Sequence, residues 1–185
     1  DDKVQPSVRY TYAVAARNQA GKSEFCDGAV ATPAEAGPLP VGWQVSQIAQ
    51  APNPSAAPAV DSVGFADVNG GTFLVTGSGS GIGGTADSVC FVHRQVGGDV
   101  TFTARLSDIA WDRGSRSQKS GLMIRQSLDP DAAMFLMKLG DIGARQAAAG
   151  VRSDRGDNVH WTGGNDYTWI PAWFRIERSG NTCSA

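Results

Sequence analysis

The feature that most constrains the fold is a series of short segments in which apolar and polar residues alternate. In residues 100–106 the apolar residues are interleaved with Thr101, Thr103 and Arg105. Successive side chains of a strand point to opposite faces, so a period of two indicates a strand with one buried face. Glycine- or aspartate-rich turns such as Gly97-Gly98-Asp99 separate these segments. Short strands with frequent turn signals are typical of a β-sandwich.

Composition supports an all-β chain and argues against two classes of protein. Only three of the 18 acidic residues are glutamate and only four of the 16 basic residues are lysine, although long helices use both freely. The formal net charge of −2 argues against a nucleic-acid binder that depends on a strongly basic face. No apolar run reaches the roughly 18 residues of a membrane helix, so no membrane span is expected.

Most of the chain is predicted as a run of strands. They are Trp43–Ile48, Gly64–Asn69, Thr72–Thr76, Ser88–Gln95, Val100–Ser107, Gly121–Gln126, Ala133–Leu139, Ala144–Val151 and Trp173–Arg178. Residues 50–59 are predicted as a proline-rich loop, and residues 158–167 as another loop. Trp43, Trp169 and Trp173, which lie in or beside strands, are expected in the core or at strand edges.

The N-terminal residues predict a separate hairpin. Alternation over residues 10–17 indicates a strand, Asn18-Gln19-Ala20-Gly21 supplies turn residues, and Ser23–Ala31 is predicted as the return strand. The pattern Tyr-x-Tyr-x-Val-x-Ala-x-Asn-x-x-Gly-x-Ser over residues 10–23 resembles the last two strands of a fibronectin type III domain. This resemblance covers about residues 4–33, and it implies that Tyr10 is the corner tyrosine that bonds back to upstream backbone.

Four further motifs occur in order along the rest of the chain. They are GTADSVCFV (84–92), GDVTFTAR (98–105), SGLMIRQSL (120–128) and WFRIERSGNT (173–182). Together they resemble a concanavalin A-like (laminin-G-like, DUF1349-related) β-sandwich or jelly-roll module of bacterial secreted proteins. The resemblance covers about residues 42–185.

The two resemblances imply a division of the chain. Residues 1–33 are expected to be the C-terminal strands of a fibronectin type III domain, 34–41 a Pro/Gly linker, and 42–185 the concanavalin A-like sandwich. Earlier strands of the first domain and final strands of the second are absent from this sequence, so both domains are expected to be truncated. An incomplete sandwich exposes unpaired edges, and residues 42–185 alone are therefore expected to be poorly soluble.

A glycine-rich segment offers a competing interpretation. Thr76–Gly83 fits the T-G-x-x-x-G-x-G pattern of short-chain dehydrogenases and follows a predicted strand. That chemistry requires a helix directly after the glycines, whose N-terminus holds the pyrophosphate. The following residues, Thr85–Val92, become β-branched and aromatic instead, and no Tyr-x-x-x-Lys motif follows. A loop between strands is therefore the favoured interpretation.

Modules of the resembled kind perform accessory work, which implies carbohydrate or cell-surface binding. Sugar binding needs an exposed aromatic platform beside polar hydrogen-bonding groups. The candidate ligand-binding residues are Trp111, Asp112, Arg125, Trp161 and Tyr167. The structural alternatives are that Trp111 and Trp161 cap the sandwich edges and that Arg125 forms an ion pair on a strand face.

Metal binding and catalysis have weaker support. No cofactor is expected; calcium is considered at Asp154, Asp157 and Asn158 and at Asp129 and Asp131, where solvated turn aspartates are the alternative. A glycosidase needs two carboxylates facing across a sugar, and neither such a pair nor a nucleophile elbow stands out. Cys26, Cys90 and Cys183 allow at most one disulfide and are expected to be isolated thiols.

The sequence therefore favours a non-catalytic accessory module of a secreted, extracellular, multidomain bacterial protein. Its expected partners are a polysaccharide or cell-surface glycan and the adjoining domains of the same chain. A structural spacer that positions a neighbouring catalytic domain is the main alternative. A glycoside-acting or dinucleotide-dependent enzyme is the third.

Overall fold

The fold was analysed in a computed structural model of the 185-residue chain. The structure describes residues 10–12, 15, 17–19, 21–25, 29–31, 37–49, 60–66, 71–109, 118–140 and 146–185. Backbone contacts divide the described residues into two compact units. One lies within Asp1–Pro40 and Ser62–Val75, and the other within Val41–Asp61 and Thr76–Ala185. The predicted domain limits stay a prediction.

The described residues form strands and turns without a helix, which confirms the predicted all-β class. The strands are β1 (Tyr10–Tyr12), β2 (Arg17–Asn18), β3 (Gly21–Lys22), β4 (Ala29–Ala31), β5 (Gln44–Ile48), β6 (Val60–Ala66), β7 (Thr72–Gly77), β8 (Val89–His93), β9 (Val100–Leu106), β10 (Lys119–Arg125), β11 (Met134–Gly140), β12 (Gln146–Arg152), β13 (His160–Tyr167), β14 (Ala172–Ser179) and β15 (Thr182–Ser184). No helix of the described residues is long and apolar enough to cross a membrane.

The N-terminal strands pair as the sequence predicts. β1 is antiparallel to β4, with Tyr10 opposite Ala31, and β2 is antiparallel to β3, with Asn18 opposite Gly21. Gly21 has a φ of 136°, a backbone conformation open to glycine, which explains why glycine closes this turn. The predicted hairpin is thus confirmed.

The remaining strands form four sheets, and the strand pairs of three of them are antiparallel. The largest is a four-stranded sheet in the order β10-β11-β12-β13, and a three-stranded sheet has the order β15-β14-β9. β5 pairs with β8, and β6 pairs with β7. Neighbours in the four-stranded sheet are consecutive in sequence, so the sheet is an antiparallel meander. β9 and β14, by contrast, pair across a long stretch of chain.

The buried core of the described residues lies within the second unit, Val41–Asp61 and Thr76–Ala185. Its buried apolar side chains are Ile48, Ala132, Met134, Leu136, Leu139, Ala148, Phe174 and Ile176. Phe174 of β14 and Leu122 of β10 line one cavity of about 70 Å³, so the three-stranded sheet packs its inner face against β10. Trp43 also contributes to this packing, with its ring centroid 6.1 Å from that of Phe102.

Two sequence predictions in this region were wrong. Residues 160–167, predicted as loop, form β13, whose backbone pairs with β12 from Gln146 to Val151. β13 is rich in polar residues and glycine because it has only one strand neighbour among the described residues. The short strand β15 was also missed. The predicted loop at 50–59 lies outside the described residues.

Candidate functional site

The outer face of the three-stranded sheet carries Trp173, the most exposed aromatic residue among the strand residues whose side chains the structure describes. Along β14, Phe174 and Ile176 point inward and are 4% and 0% exposed. Trp173, on the opposite face of the same strand, points to solvent and is 70% exposed. β9 pairs with β14 from Ala172 to Arg178, whereas β15 pairs only with the last residues of β14, Glu177–Ser179. Among the described residues, Trp173 therefore lies where β14 forms an edge of its sheet, which is one of the two positions expected for it, and it is not in the core.

Trp169 is likewise not in the core. It is 76% exposed and lies just before β14, ahead of a cis bond between Ile170 and Pro171.

The register places polar side chains beside Trp173. Its directly opposite neighbour on β9 is Arg105, and the next outward pair along the two strands is Arg175 with Thr103. Arg105 and Thr103 are exposed, as the alternating burial of β9 requires. Side chains of directly opposite residues lie about 4.5–5.5 Å apart at their Cβ atoms. An indole, two guanidinium groups and a hydroxyl are thus within reach of one small ligand.

The third outward pair closes this face with a carboxylate. Glu177 lies opposite Thr101, whose Oγ1 donates a hydrogen bond of 3.4 Å to Glu177 Oε1. Arg175 forms an ion pair with the same carboxylate, and both side chains remain partly exposed. We call the side chains of Trp173, Arg175, Glu177, Thr101, Thr103 and Arg105 the outer face.

The turn beyond β14 is held firmly. Asp99 Oδ1 accepts a hydrogen bond of 2.8 Å from the backbone N–H of Gly180, and Arg178 Nε donates one of 2.8 Å to the carbonyl of Gly98. These contacts tie the start of β9 to the β14–β15 turn. A ladder fixed at this end keeps the outer face in one geometry, which lowers the entropic cost of binding.

Of the five residues predicted to bind a ligand, the structure describes the side chains of two, Arg125 and Trp161. Trp111 and Asp112 lie outside the described residues, and Tyr167 ends β13 with no side-chain description. Trp161, at the other end of β13, is 39% exposed. Arg125 belongs to β10, where its side chain is 3% exposed and pairs with Asp87. Arg125 therefore forms an ion pair, which was the structural alternative to a ligand contact.

Trp161 lies over a glycine of the neighbouring strand. Gly150 is its cross-strand partner, and a Cβ built on Gly150 would lie 2.7 Å from the indole Cζ3. The ammonium of Lys138 is 4.9 Å from the centre of the same ring. One side of the indole is therefore occupied by the protein, which leaves only part of its surface for a ligand.

A buried ionic cluster underlies the loops at one end of the four-stranded sheet. Asp87 accepts hydrogen bonds from Arg152 at 2.8 and 3.0 Å and from Arg125 at 3.2 Å. Arg152 also donates to the carbonyls of Gly84, Ala132, Pro130 and Asp157. Burial lowers the pKa of Arg125, and the charge of Asp87 opposes that shift. This cluster joins three loops and is closed to ligands.

The aspartates considered for calcium are engaged with a cation of the protein. Arg155 donates to Asp131 Oδ2 at 3.0 Å and to Asp129 Oδ2 at 3.1 Å, and the hydrogen bond with Asp131 raises the pKa of Arg155. Asp154 and Asp157 lie in the adjacent exposed turn. Within the described ranges, no three His, Cys, Asp or Glu side chains are grouped as metal ligands.

The glycine-rich segment has no helix after it. Gly81 and Ser88 form an isolated antiparallel bridge, and β8 follows directly at Val89. Gly79 lies so close to the Ser88 carbonyl that a Cβ there would be 2.1 Å from its oxygen. The segment turns back onto the chain, and the helix N-terminus that dinucleotide binding needs is not present in residues 78–93.

One serine–histidine contact was not predicted. Ser46 Oγ of β5 is 2.9 Å from His93 Nε2 of β8, and the His93 ring stacks on Phe91. Burial lowers the pKa of His93. Among the described residues, Ser46 and His93 form a pair without a carboxylate at the other ring nitrogen, and a catalytic triad needs that third group. Cys90 and Cys183 are free thiols, and Cys26 lies outside the described residues.

Comparison with known proteins assigns no family. No family model matches the chain, and no curated protein or solved structure matches it.

Proposed function

We propose that this chain is a non-catalytic accessory module that binds carbohydrate on the outer face. The observation that carries the proposal is Trp173, which is 70% exposed on a strand whose inward residues Phe174 and Ile176 are buried. An exposed indole leaves a large apolar surface in water and adds nothing to the core. A ligand that covers the ring accounts for a tryptophan at this position.

The chemistry of the outer face suits a sugar. The apolar C–H faces of a pyranose stack on an aromatic ring, and its hydroxyls need donors and acceptors at the ring's edge. Arg105 and Thr103 supply donors beside Trp173, and Glu177 supplies an acceptor farther along β14. A sheet surface without a deep cleft fits a chain laid across it, so the ligand class is a polysaccharide or cell-surface glycan.

The sequence resemblances supply the proposed setting. A fibronectin type III segment followed by a concanavalin A-like sandwich is expected in secreted multidomain proteins of bacteria. In such a protein this module would hold a neighbouring domain at its substrate. The outer face replaces Trp111, Asp112, Arg125, Trp161 and Tyr167 as the first place to test.

Affinity electrophoresis of the full chain through gels that contain different polysaccharides tests the proposal. The variants are Trp173→Ala and, as a matched loss of a tryptophan elsewhere on the sandwich, Trp161→Ala. Retardation on a glycan that Trp173→Ala loses and Trp161→Ala keeps supports binding at the outer face. Retardation that only Trp161→Ala loses would move the site to β13.

The structural spacer is the competing function, and the same gels separate the two. A spacer migrates alike in every gel, whether or not Trp173 is present. Uniform migration over a panel of neutral, acidic and amino-sugar polymers would overturn the binding proposal.

A further inference from the structure

The charges around Trp173 indicate which glycans the outer face selects. We infer that it prefers polysaccharides that carry carboxylate groups, that is, polymers of uronic acids, and that Arg105 determines this specificity. The inference rests on the proposed function, because it names the ligand class of the same face.

The charges of the outer face do not cancel. Glu177 accepts from Arg175 and from Thr101, so one arginine is matched by the single carboxylate. Arg105 adds a second positive charge, at the position directly opposite Trp173. The three outward pairs of β9 and β14 therefore carry two cations and one anion, and the excess positive charge lies beside the indole.

The spacing suits a uronic acid. Adjacent strands are about 4.8 Å apart, so the Arg105 guanidinium reaches the rim of a sugar ring that stacks on Trp173. A hexuronate carries its carboxylate at that rim, attached to the ring carbon next to the ring oxygen. The stacked ring and the charged group are then recognised by neighbouring side chains on two strands.

Arginine is suited to this task for a geometric reason. Its planar guanidinium presents parallel N–H donors that match the two oxygens of a carboxylate, whereas lysine offers a compact point charge. If the face attracts anions only by charge, arginine and lysine at position 105 should bind the glycan equally well. If it holds a carboxylate by two hydrogen bonds, arginine should bind more tightly than lysine.

Binding of the full chain to soluble polygalacturonate and to the neutral polymer galactan tests the inference, with dextran sulfate as a purely anionic probe. The variants are Arg105→Gln, Arg105→Lys and, as a control with the same charge change, Arg155→Gln. Arg155 is exposed, lies in the turn between β12 and β13, and pairs with Asp131 and Asp129.

We expect polygalacturonate to bind about tenfold more tightly than galactan, the size of one charge-assisted hydrogen-bonding contact. Arg105→Gln should remove this preference, so that polygalacturonate and galactan bind with similar affinity; Arg105→Lys should restore only part of the preference, and Arg155→Gln should keep it. Dextran sulfate should bind more weakly than polygalacturonate at physiological salt, because simple ionic attraction is screened there.

Three results would overturn the inference. Equal, Trp173-dependent binding of both galacturonan and galactan would refute it and leave the proposed function standing. Full rescue by Arg105→Lys, or dextran sulfate as the tightest ligand, would show a general anion site. Absence of binding to every polymer would overturn the proposed function together with the inference.

Discussion

Asp87 and Arg152 form a two-point ion pair inside the protein. Oδ1 and Oδ2 of Asp87 accept hydrogen bonds from the two terminal nitrogens of Arg152 at 2.8 and 3.0 Å, and both side chains are 0% exposed. The two residues are 65 positions apart in sequence. The pair therefore fixes the segment that leads into β8 onto the end of β12.

Replacing Asp87 with asparagine should strongly destabilise the sandwich. Arg152 and Arg125 would both face a neutral amide while remaining buried, and removal of one partner from a buried ion pair costs about 3–5 kcal/mol. The measurement is the free energy of unfolding from urea denaturation followed by tryptophan fluorescence.

The exposed ion pairs of a neighbouring loop supply the control. Asp129→Asn removes one partner of Arg155, whose side chain is 64% exposed, and should change the unfolding free energy far less. Similar losses of unfolding free energy in Asp87→Asn and Asp129→Asn would show that the buried cluster stabilises the fold no more than the exposed ion pairs do.

This cluster also marks a limit of sequence reasoning. GTADSVCFV and SGLMIRQSL indicated strands, and Arg125 was considered as either a ligand contact or an ion-pair member. Local pattern gives the strand but not the partner, because a contact over 65 positions depends on how the loops fold together. Arg152 carried no local signal at all.

Gly150 should resist substitution because the indole of Trp161 occupies its open side. A Cβ at position 150 would lie 2.7 Å from that ring and 3.1 Å from Leu136 Cδ2. Gly150→Ala must displace the ring, and overpacking of this kind costs about 1–3 kcal/mol. The measurement is urea unfolding, together with the wavelength of tryptophan emission.

A double-mutant cycle identifies the cause. In a Trp161→Ala background the ring is gone, so Gly150→Ala should cost less by at least about 0.5 kcal/mol. An unchanged cost in that background would assign the strain to Leu136 or to the backbone instead.

Two neighbouring positions on β14 should respond in opposite ways to truncation. Phe174 is 4% exposed, and Phe174→Ala should cost about 3–5 kcal/mol of unfolding free energy because it empties part of the core. Trp173→Ala should change the unfolding free energy by no more than about 0.5 kcal/mol, since its side chain lies in solvent. Denaturation of the two variants under one set of conditions checks this, and comparable losses would place Trp173 in the packing.

The outward orientation of Trp173 was available in the sequence, although the prediction left core and strand edge open. Phe174 and Ile176 alternate with Trp173 and Arg175, so the pattern that correctly divided β9 into two faces also puts Trp173 outside. The general tendency of tryptophan to be buried was given more weight than the local period. Pairing of β14 with β9, which puts Arg105 opposite Trp173, could not be read from the period alone.

His93 should make the stability of the chain fall in mild acid. Burial lowers its pKa in the folded state below its ordinary value of 6.5, so the unfolded chain takes up a proton first as the pH falls. Above pH 6.5 the ring, which lies next to Ser46 Oγ, is neutral in both states, and its contribution to the free energy of unfolding is fully present. That contribution is lost as the pH falls from 6.5 towards the pKa of the folded state.

Urea denaturation of the wild type and His93→Gln between about pH 8 and about pH 5 isolates this group from the carboxylates common to both. The wild type should lose stability relative to His93→Gln only in the lower part of that range, because above it the ring is neutral in both states. A constant difference between the two proteins, or a wild type that gains stability relative to His93→Gln as the pH falls, would show that the proton on His93 is not coupled to folding in this way.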